Sequence, residues 1–306
     1  DYLTRLLADE NMRMEVIKKE LLEIKEKYGD EPKSNIEYTA SDFRIEDTIS
    51  DEDVIITISH MGYIKRTSLR EYKVQNRGGK GSRGSDARDS DFIEHLYTAT
   101  NHNYLLFFTE KGKCFWLRVF EIPEGSKISK GRAIQNLINI EPNDKVKAVI
   151  NVTNLNDQDY VNNNYIVLST EKGLVKKTKL KAYSHPRQTG INALIIRAGD
   201  NLLDAKLTDG NSIIMLALFS GKAARFNEKK FRPSGRLSSG VKGITLANEQ
   251  DKVIGMICVN PNNNEQIDDV LVVSENGYGK RSSLEDYRET NRRAKGVKTI
   301  NITEKT

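Results

Sequence analysis

The sequence predicts an all-β fold of the propeller type, with about five to six four-stranded blades and one α-helix before them. Three observations support this prediction: a charged amphipathic segment at the start, short apolar runs separated by Gly, Asn and Asp from about residue 36, and an internal repeat of about 50 residues. Strands bounded by turn residues that recur at this period are typical of a radial β-repeat, because a single hairpin cannot bury its apolar face without neighbours.

The composition is that of a globular chain. Hydrophobic residues make up 37% and charged residues 30% of the 306 residues, which suffices for one large or two ordinary domains. No apolar run approaches the roughly 20 residues that cross a bilayer, so no membrane partner is expected. The two cysteines, Cys114 and Cys258, lie in apolar runs, and the four histidines are scattered. We therefore expect a reducing cytoplasm and no metal site.

The formal net charge of +5 is unevenly distributed. Residues 1–33 hold nine acids and seven bases, whereas residues 34–306 hold 34 acids and 41 bases. Between Gly62 and Arg88 there are eight bases and two acids. A polyanion is therefore a candidate partner of the part after residue 33.

Residues 1–28 predict one amphipathic helix. The apolar residues at helical spacing are Leu3, Leu7, Met14, Ile17, Leu21, Ile24 and Tyr28. Gly29 and Pro32 predict its end. A packing helix and a short coiled coil both fit this pattern. We expect residues 1–33 to be the last helix of a preceding domain and residues 34–306 to be the β-domain.

The repeat becomes visible when the chain is compared with itself. One unit begins at Val54, close copies begin at Tyr165 and Val270, and weaker copies begin at Tyr104 and Ile213. We interpret each copy as a β-hairpin with a glycine in its turn, because such turns need a positive φ. The turn glycines are Gly62, Gly112, Gly173, Gly221 and Gly277. A second glycine follows 19 residues later, or 17 in the third copy, at Gly81, Gly131, Gly190, Gly240 and Gly296.

Basic residues follow the turn glycine by three and four positions in three of the five copies, and by four positions only in the fourth copy. These hairpin cations are Lys65, Arg66, Lys176, Lys177, Arg225, Lys280 and Arg281. In a radial repeat one position recurs on one rim, so we expect the hairpin cations to form a stripe that binds a polyanion. The alternative is that lysines on strand edges only suppress edge-to-edge aggregation.

A basic, glycine-rich loop is the second candidate site. It consists of Gln75, Asn76, Arg77, Gly78, Gly79, Lys80 and Gly81, and Arg83 follows. Glycines let the backbone approach phosphate closely, and the loop cations add charge-assisted hydrogen bonds. A flexible linker and a disordered Arg-Gly-Gly segment are the alternatives, which a fixed offset within the repeat disfavours. A degenerate copy in the last unit contains Arg292, Arg293 and Lys295.

Residues 75–81 resemble the Gln-Arg-Arg-Gly-Gly-Lys-Gly box of the DNA gyrase A-subunit family, with Asn76 in place of the first arginine. The resemblance covers the whole chain. Residues 1–33 resemble the last helix of that family's DNA-cleavage core, and residues 34–306 resemble its C-terminal domain, a β-pinwheel whose blades exchange strands. The family's domain usually has six blades, and five turns occur here, so we expect a fragment that stops before or within a sixth blade.

The resemblance implies a domain that binds and wraps double-stranded DNA, largely without sequence specificity. The domain would belong to a bacterial, nucleoid-associated, ATP-hydrolysing type II topoisomerase that introduces negative supercoils. Gyrase B and a second A subunit are implied partners through regions outside this chain. ATP and Mg²⁺ are implied for the holoenzyme only, and no cofactor is expected in this chain. The family's catalytic tyrosine matches none of the tyrosines here, so we expect the chain alone to be non-catalytic.

Other functions stay open from the residues. The A-type subunit of topoisomerase IV shares the fold and usually has a degraded box. The nearly complete box here disfavours this assignment. In a protein-interaction propeller a basic rim would be incidental. A glycan-active propeller enzyme is disfavoured because no carboxylate pair recurs at one repeat position. Tyr72, Tyr183 and Tyr287 share one repeat position and are interpreted, like Trp116, as packing residues.

Overall fold

The computed structural model describes residues 1–30, 45–72, 77–78, 81, 90–261 and 269–303. The chain divides into two compact units, residues 1–45 and residues 46–306. The predicted domain boundary after residue 33 lies outside the described residues. Within the described ranges, no helix has both the length and the apolar character needed to cross a membrane.

The described residues 1–30 of the first unit form two helices where the sequence predicted one. Helix α1 spans Tyr2–Ala8 and helix α2 spans Glu10–Tyr28, with Asp9 in an extended conformation between them. The Asp9 carboxylate accepts a hydrogen bond from the backbone N–H of Asn11 (2.9 Å). The break has a local cause, since a short acidic side chain is more stable as an N-cap than inside a helix. Helix α2 ends at the predicted place, before Gly29.

The second unit consists of antiparallel sheets built by one scheme. In the first sheet, the hairpin strands are β1 (Asp53–Ser59) and β2 (Tyr63–Ser68), flanked by β3 (Ile93–Thr100) and β6 (Arg132–Ala133). In the second, they are β4 (Tyr104–Thr109) and β5 (Lys113–Arg118), flanked by β7 (Val146–Val152) and β10 (Ile191–Asn192). In the third, they are β8 (Tyr165–Thr170) and β9 (Leu174–Lys179), flanked by β11 (Leu202–Thr208) and β14 (Val241–Lys242).

The last two hairpins extend the same scheme. The fourth sheet contains β12 (Ile213–Leu218), β13 (Lys222–Asn227), β15 (Val253–Val259) and β18 (Val297–Lys298). The fifth contains β16 (Asp269–Val273) and β17 (Gly279–Ser283) within the described residues. A short helix, α3 (Gln158–Asn163), precedes the third hairpin. Each four-stranded sheet thus holds a hairpin, a third strand from the same repeat and a two-residue strand donated by the next repeat.

The strand exchange explains both glycines of the repeat. All five turn glycines have a φ between 75° and 83°, as the hairpin prediction requires. The second glycine precedes the donated strand directly, for example Gly131 before β6 and Gly240 before β14. A Cβ at Gly240 would lie 2.6 Å from the carbonyl oxygen of Val175, on the receiving strand β9. Glycine is therefore required where the donated strand joins its neighbour.

Both faces of the hairpin strands are buried because the sheets pack in series. On β4, Phe107 packs in the core between the first and second sheets, whereas its neighbour Leu106 packs in the core between the second and third. Further cores join the third sheet to the fourth and the fourth to the fifth. Successive side chains on a strand point to opposite faces, so a continuous apolar run fits a strand covered on both sides. The predicted propeller-like β-pinwheel is confirmed.

The third strands mark the inner edge of this arrangement. Strand β11 contacts β7 of the preceding sheet and β15 of the following sheet. The donated strands lie at the opposite edge of each sheet, next to the second hairpin strand. The loops that lead into the donated strands therefore lie along the outer edge of the second unit.

Candidate nucleic-acid interface

Three of the seven hairpin cations are buried and two more are half-buried. Lys65, Lys176 and Lys177 are 3%, 1% and 4% exposed, and Arg66 and Arg225 are half-buried. The prediction that they present their charge to solvent along a rim is therefore wrong for the three lysines. The physical reason is that backbone carbonyl groups of the following repeat cover these ammonium groups.

Two of these lysines occupy cages of backbone carbonyl groups. The Lys65 ammonium donates hydrogen bonds to the carbonyl oxygens of Ser126 (3.0 Å), Lys127 (2.6 Å) and Ser129 (2.8 Å). An ammonium has three donors and no acceptor, so three carbonyl groups satisfy it completely. All three acceptors belong to the following repeat, in the loop that leads into β6.

The Lys176 cage repeats this geometry. Its ammonium donates to the carbonyl oxygens of Ala193 (2.7 Å), Arg236 (2.6 Å) and Ser238 (3.2 Å). Two of these acceptors lie in the loop that leads into β14. Burial, and then the nearby Arg236 charge, lower the pKa of Lys176 to about 8. The side chain therefore still carries its charge at neutral pH.

The second member of each pair also reaches into the next repeat. Arg66 Nε donates to the carbonyl oxygen of Ile122 (2.8 Å), and one Arg225 nitrogen donates to the carbonyl oxygen of Leu284 (2.8 Å). Lys177 Nζ donates to the carbonyl oxygen of Glu228 (3.0 Å) and lies 3.5 Å from its carboxylate. The hairpin cations of the first, third and fourth repeats thus join neighbouring repeats.

The last repeat differs. Lys280 and Arg281 on β17 are exposed, and Arg281 forms an ion pair with Asp269 on β16. Among the described residues no sheet follows the fifth, so no neighbouring repeat covers this position. The same residue types at the same repeat position are therefore exposed here, buried in the third repeat, and buried or half-buried in the first.

Positive charge also recurs in the loops that precede the donated strands and in their counterpart at Gly81, where the described cations are exposed or half-buried. We call residues 77–81, 127–131, 187–190, 236–240 and 292–296 the outer-edge loops. Each begins with a cation, and these are Arg77, Lys127, Arg187, Arg236 and Arg292. Further cations in the same loops are Lys80, Lys130, Arg293 and Lys295.

Sequence reasoning found only the first and last of these loops. It depended on the glycine pair of residues 75–81 and therefore missed Lys127, Lys130, Arg187 and Arg236. A cation four residues before the second glycine, or three in the shortened third loop, was the signal that could have identified them.

The box lies partly outside the described residues. Arg77, Gly78 and Gly81 are described and exposed, with φ values of 91° for Gly78 and 73° for Gly81. Positive φ at both glycines agrees with a backbone that only glycine adopts readily. The predicted site residues Gln75, Asn76, Gly79, Lys80 and Arg83 lie outside the described residues.

The loop cations of neighbouring repeats converge on one groove. Arg187 and Arg236, from the third and fourth outer-edge loops, line a groove of about 350 Å³ together with Lys113 on β5. Within the described ranges, neither arginine forms an ion pair, whereas Lys113 Nζ lies 2.6 Å from the Glu141 carboxylate. In the last loop, Arg292 Nε donates to the carbonyl oxygen of Lys230 (2.9 Å), while Arg293 and Lys295 are exposed.

Other candidate groups have structural roles. The Trp116 indole N–H donates to the carbonyl oxygen of Tyr183 (2.9 Å), and Tyr183 and Tyr287 are buried, in agreement with the packing interpretation. Both cysteines are free, and burial raises the pKa of the Cys258 thiol to about 12. In the part of the chain that the structure describes, no cluster of His, Cys, Asp and Glu could hold a metal ion.

Strand exchange between successive repeats defines the second unit as a propeller-like β-pinwheel domain. The family model of the DNA gyrase C-terminal domain, a β-propeller, matches residues 53–99, 103–153, 164–209, 220–260 and 268–305, one segment for each repeat. The chain belongs to this family.

Relatives and solved structures agree with this assignment. The chain is 39% identical to the DNA gyrase A subunit of Staphylococcus aureus (strain NCTC 8325) over 304 residues, which are 99% of this chain and 33% of the relative. It thus spans about a third of the length of the curated relatives that it matches. A DNA gyrase A C-terminal domain structure matches with a TM-score of 0.65 and 26% identity, covering 83% of this chain and 80% of that one. A DNA topoisomerase IV C-terminal domain matches with a TM-score of 0.65 and 28% identity, covering 81% and 73%.

Proposed function

We propose that this domain binds double-stranded DNA along its outer-edge loops and bends it around that edge. The observation that carries the proposal is the recurrence of a cation at the start of all five outer-edge loops. One structural position repeated at one edge suits a ligand whose charge is itself periodic, and duplex DNA carries a phosphate charge about every 1.7 Å of axis. Contacts with phosphates carry no sequence information, so binding is largely independent of sequence.

The energetics of bending require several such contacts. Bending a duplex of 20–30 base pairs by 40–90° costs on the order of 1–6 kcal/mol. Counterions released from the DNA offset this cost, and the affinity falls with salt with a log–log slope of about −0.9 per neutralised phosphate. Five loops that each supply one to three cations therefore give a strongly salt-dependent affinity.

In the parent enzyme this wrap would present a neighbouring DNA segment for strand passage with a fixed handedness. We propose that the holoenzyme is a bacterial, nucleoid-associated gyrase that introduces negative supercoils with ATP and Mg²⁺. Gyrase B and a second A subunit would join through regions outside this chain. Residues 75–81 would fasten the end of the wrap, so alanine at Arg77, Gly78, Gly79 and Lys80 should abolish supercoiling and spare relaxation and cleavage.

A topology assay tests the wrap directly. A nicked plasmid is sealed with the 306-residue chain bound, and the linking number is read after the protein is removed. We expect trapped writhe of one sign, and little or none with Lys127, Arg187 and Arg236 replaced by alanine. Lys252→Ala serves as the control, because Lys252 is exposed but lies outside the outer-edge loops. An unchanged linking number at saturating protein would contradict wrapping and favour a protein-interaction propeller.

The A-type subunit of topoisomerase IV is the second candidate, because its C-terminal domain matches with the same TM-score. The nearly complete box at residues 75–81 favours gyrase. An enzyme reconstituted with this domain should introduce negative supercoils into relaxed plasmid. An enzyme that decatenates but introduces no supercoils would assign the chain to topoisomerase IV.

A further inference from the structure

We propose that Lys65 and Lys176 are positioning residues for DNA binding: each buried ammonium fixes the outer-edge loop of the next repeat, so that the first cation of that loop is held ready for phosphate. This inference rests on the proposed function, because it concerns the loops that would contact DNA. Neither lysine reaches the ligand itself, since both side chains are at most 3% exposed.

The two cages follow one rule. Each lysine stands three residues after its turn glycine. Each ammonium donates to the carbonyl oxygens of the residues four and two before the glycine that leads into the donated strand. These acceptors are Lys127 and Ser129 for Lys65, and Arg236 and Ser238 for Lys176. The residue four before the glycine is the first cation of its loop, so the caged carbonyl and the loop charge belong to the same residue.

The lysine cage is one of several anchors of the loop, since the Lys127 N–H also donates to the Glu71 carboxylate (3.2 Å) and the Lys127 ammonium lies 4.6 Å from the centre of the Tyr72 ring. The loop before Gly131 closes on itself through the Ser129 N–H and the Ser126 carbonyl oxygen (3.0 Å). The Lys65 ammonium, fixed in the core of the preceding repeat, adds three bonds to this loop. Ordering a loop in advance removes part of the entropy lost when the loop binds its ligand. A held backbone at Lys127 and Arg236 should therefore increase affinity without a new contact to DNA.

The second repeat has a different anchor at the same place. Its residue three after the turn glycine is Phe115, and a Cβ at Gly190 would lie 2.6 Å from that ring. The third outer-edge loop, which Phe115 supports, is two residues shorter. An aromatic ring under a short loop thus replaces the ammonium under a long one, so the residue at this position supports an outer-edge loop in three successive repeats.

Double-mutant cycles on DNA affinity test the inference, because a residue that acts through another gives a non-additive cycle. The variants are Lys176→Met, Arg236→Ala and their combination, measured as the Kd for a mixed-sequence linear duplex at several salt concentrations. We expect each single variant to weaken binding and to lower the salt slope, by about one for Arg236→Ala. Lys176→Met should weaken binding by a smaller factor in the Arg236→Ala background than in the wild type. The two factors should differ by at least about threefold.

The second copy supplies the matched control. The cycle of Lys65→Met with Lys127→Ala should show the same coupling. The crossed cycle of Lys176→Met with Lys127→Ala should be additive within about twofold, because these residues share no partner. Near-ultraviolet circular dichroism establishes that each variant is folded at the assay temperature. Hydrogen exchange at residues 236–240 should accelerate in Lys176→Met, and at residues 127–131 in Lys65→Met.

The outcomes separate this inference from the proposed function. If Arg236→Ala and Lys127→Ala weaken binding but both cycles are additive, the positioning role is wrong and the DNA-binding loops stand. If neither alanine variant changes the Kd or the salt slope, the assignment of these loops fails, and the positioning role fails with it. Unchanged hydrogen exchange in both methionine variants would also overturn the positioning role.

Discussion

The hairpin cations and the outer-edge loop cations carry the same charge in opposite surroundings. Lys176 and Lys177 are buried on β9 and end on the backbone of the next repeat, whereas Arg187 in the third outer-edge loop is exposed and lines a groove. The residue type at a repeated position does not show whether that position is buried or exposed. Here the hairpin cations of the first, third and fourth repeats join neighbouring repeats, whereas the outer-edge loop cations, which recur in all five repeats, are exposed or half-buried where described.

The fifth repeat shows what decides between the two surroundings. Lys280 and Arg281 match the pair of the third repeat residue for residue in position and charge type, yet both are exposed. What differs is the neighbour, since the fourth sheet packs against the third. Burial of the hairpin cations therefore depends on the neighbouring repeat that packs against them. Four experiments test the contrast between buried and exposed cations.

The largest effect is expected for Lys177→Met. This substitution leaves the Glu228 carboxylate, which is 0% exposed, without its cation. Breaking a buried pair costs about 3–5 kcal/mol in the free energy of unfolding. Urea-induced unfolding measures it, and adding Glu228→Gln should restore part of the loss. Arg187→Met, the exposed counterpart, should change stability by less than about 0.5 kcal/mol. Equally small effects of the two substitutions on the free energy of unfolding would show that the hairpin cations and the loop cations do not differ in their contribution to stability.

Affinity for DNA should show the reverse order. Arg187→Ala removes an exposed cation and should lower the salt slope of the affinity by about one, uniformly across DNA sequences. Lys177→Met, measured where it is folded, should leave the slope unchanged because its charge is not available to phosphate. Fluorescence anisotropy over a range of salt concentrations measures both slopes. A lower salt slope for Lys177→Met would show that the hairpin cations contact DNA.

The pH dependence of stability should reveal the lowered pKa of Lys176. Burial lowers its pKa from 10.5 to about 8, so the folded protein binds this proton less tightly than the unfolded chain does. The unfolded state then carries more protons between about pH 8 and 10.5, and the free energy of unfolding rises with pH across that interval. We expect the wild type to gain stability relative to Lys176→Met between these values in chemical denaturation. A constant difference would show that the caged ammonium keeps its ordinary pKa.

The smallest expected effect is a gain in the affinity for DNA. The Glu141 carboxylate lies 2.6 Å from Lys113 Nζ and 3.1 Å from Lys111 Nζ, and these two ammonium groups lower its pKa. Glu141→Gln removes this competing charge beside the groove of Arg187 and Arg236. The affinity for DNA should rise slightly, with a salt slope steeper by at most about one. Combining it with Lys113→Ala should cancel the gain, whereas a gain that persists would show that Lys113 is not involved.

Much of the fold could be predicted from the sequence because its determinants are local. Positive φ at a turn such as Gly62 depends on the turn itself, and the second glycines, such as Gly131, mark where a short strand begins. The break at Asp9 was missed because the helical spacing of apolar residues continues across it, although an acidic N-cap residue was its local signal. The first and last outer-edge loops were also predictable, since glycine and arginine together indicate phosphate.

The exposure of the hairpin cations was predictable only in part. Lys176 and Lys177 are consecutive on a strand, so their side chains point to opposite faces. In a radial array of sheets both faces are covered, and this geometry argues against a shared solvated stripe. That two such lysines find carbonyl acceptors in the next repeat could not be read from spacing, because the acceptors lie in irregular backbone about 60 residues away.

The sequence by itself determined the number of hairpins, the position of each turn and the family, because glycine conformation and the repeat period are local properties. Only the tertiary structure decided which cations face solvent. Burial depends on the neighbour that a sheet packs against, and the strand donated by one repeat places the outer-edge loop of that repeat over the lysine of the one before. Lys176 and Lys280 share a repeat position, yet Lys176 is buried and Lys280 is exposed.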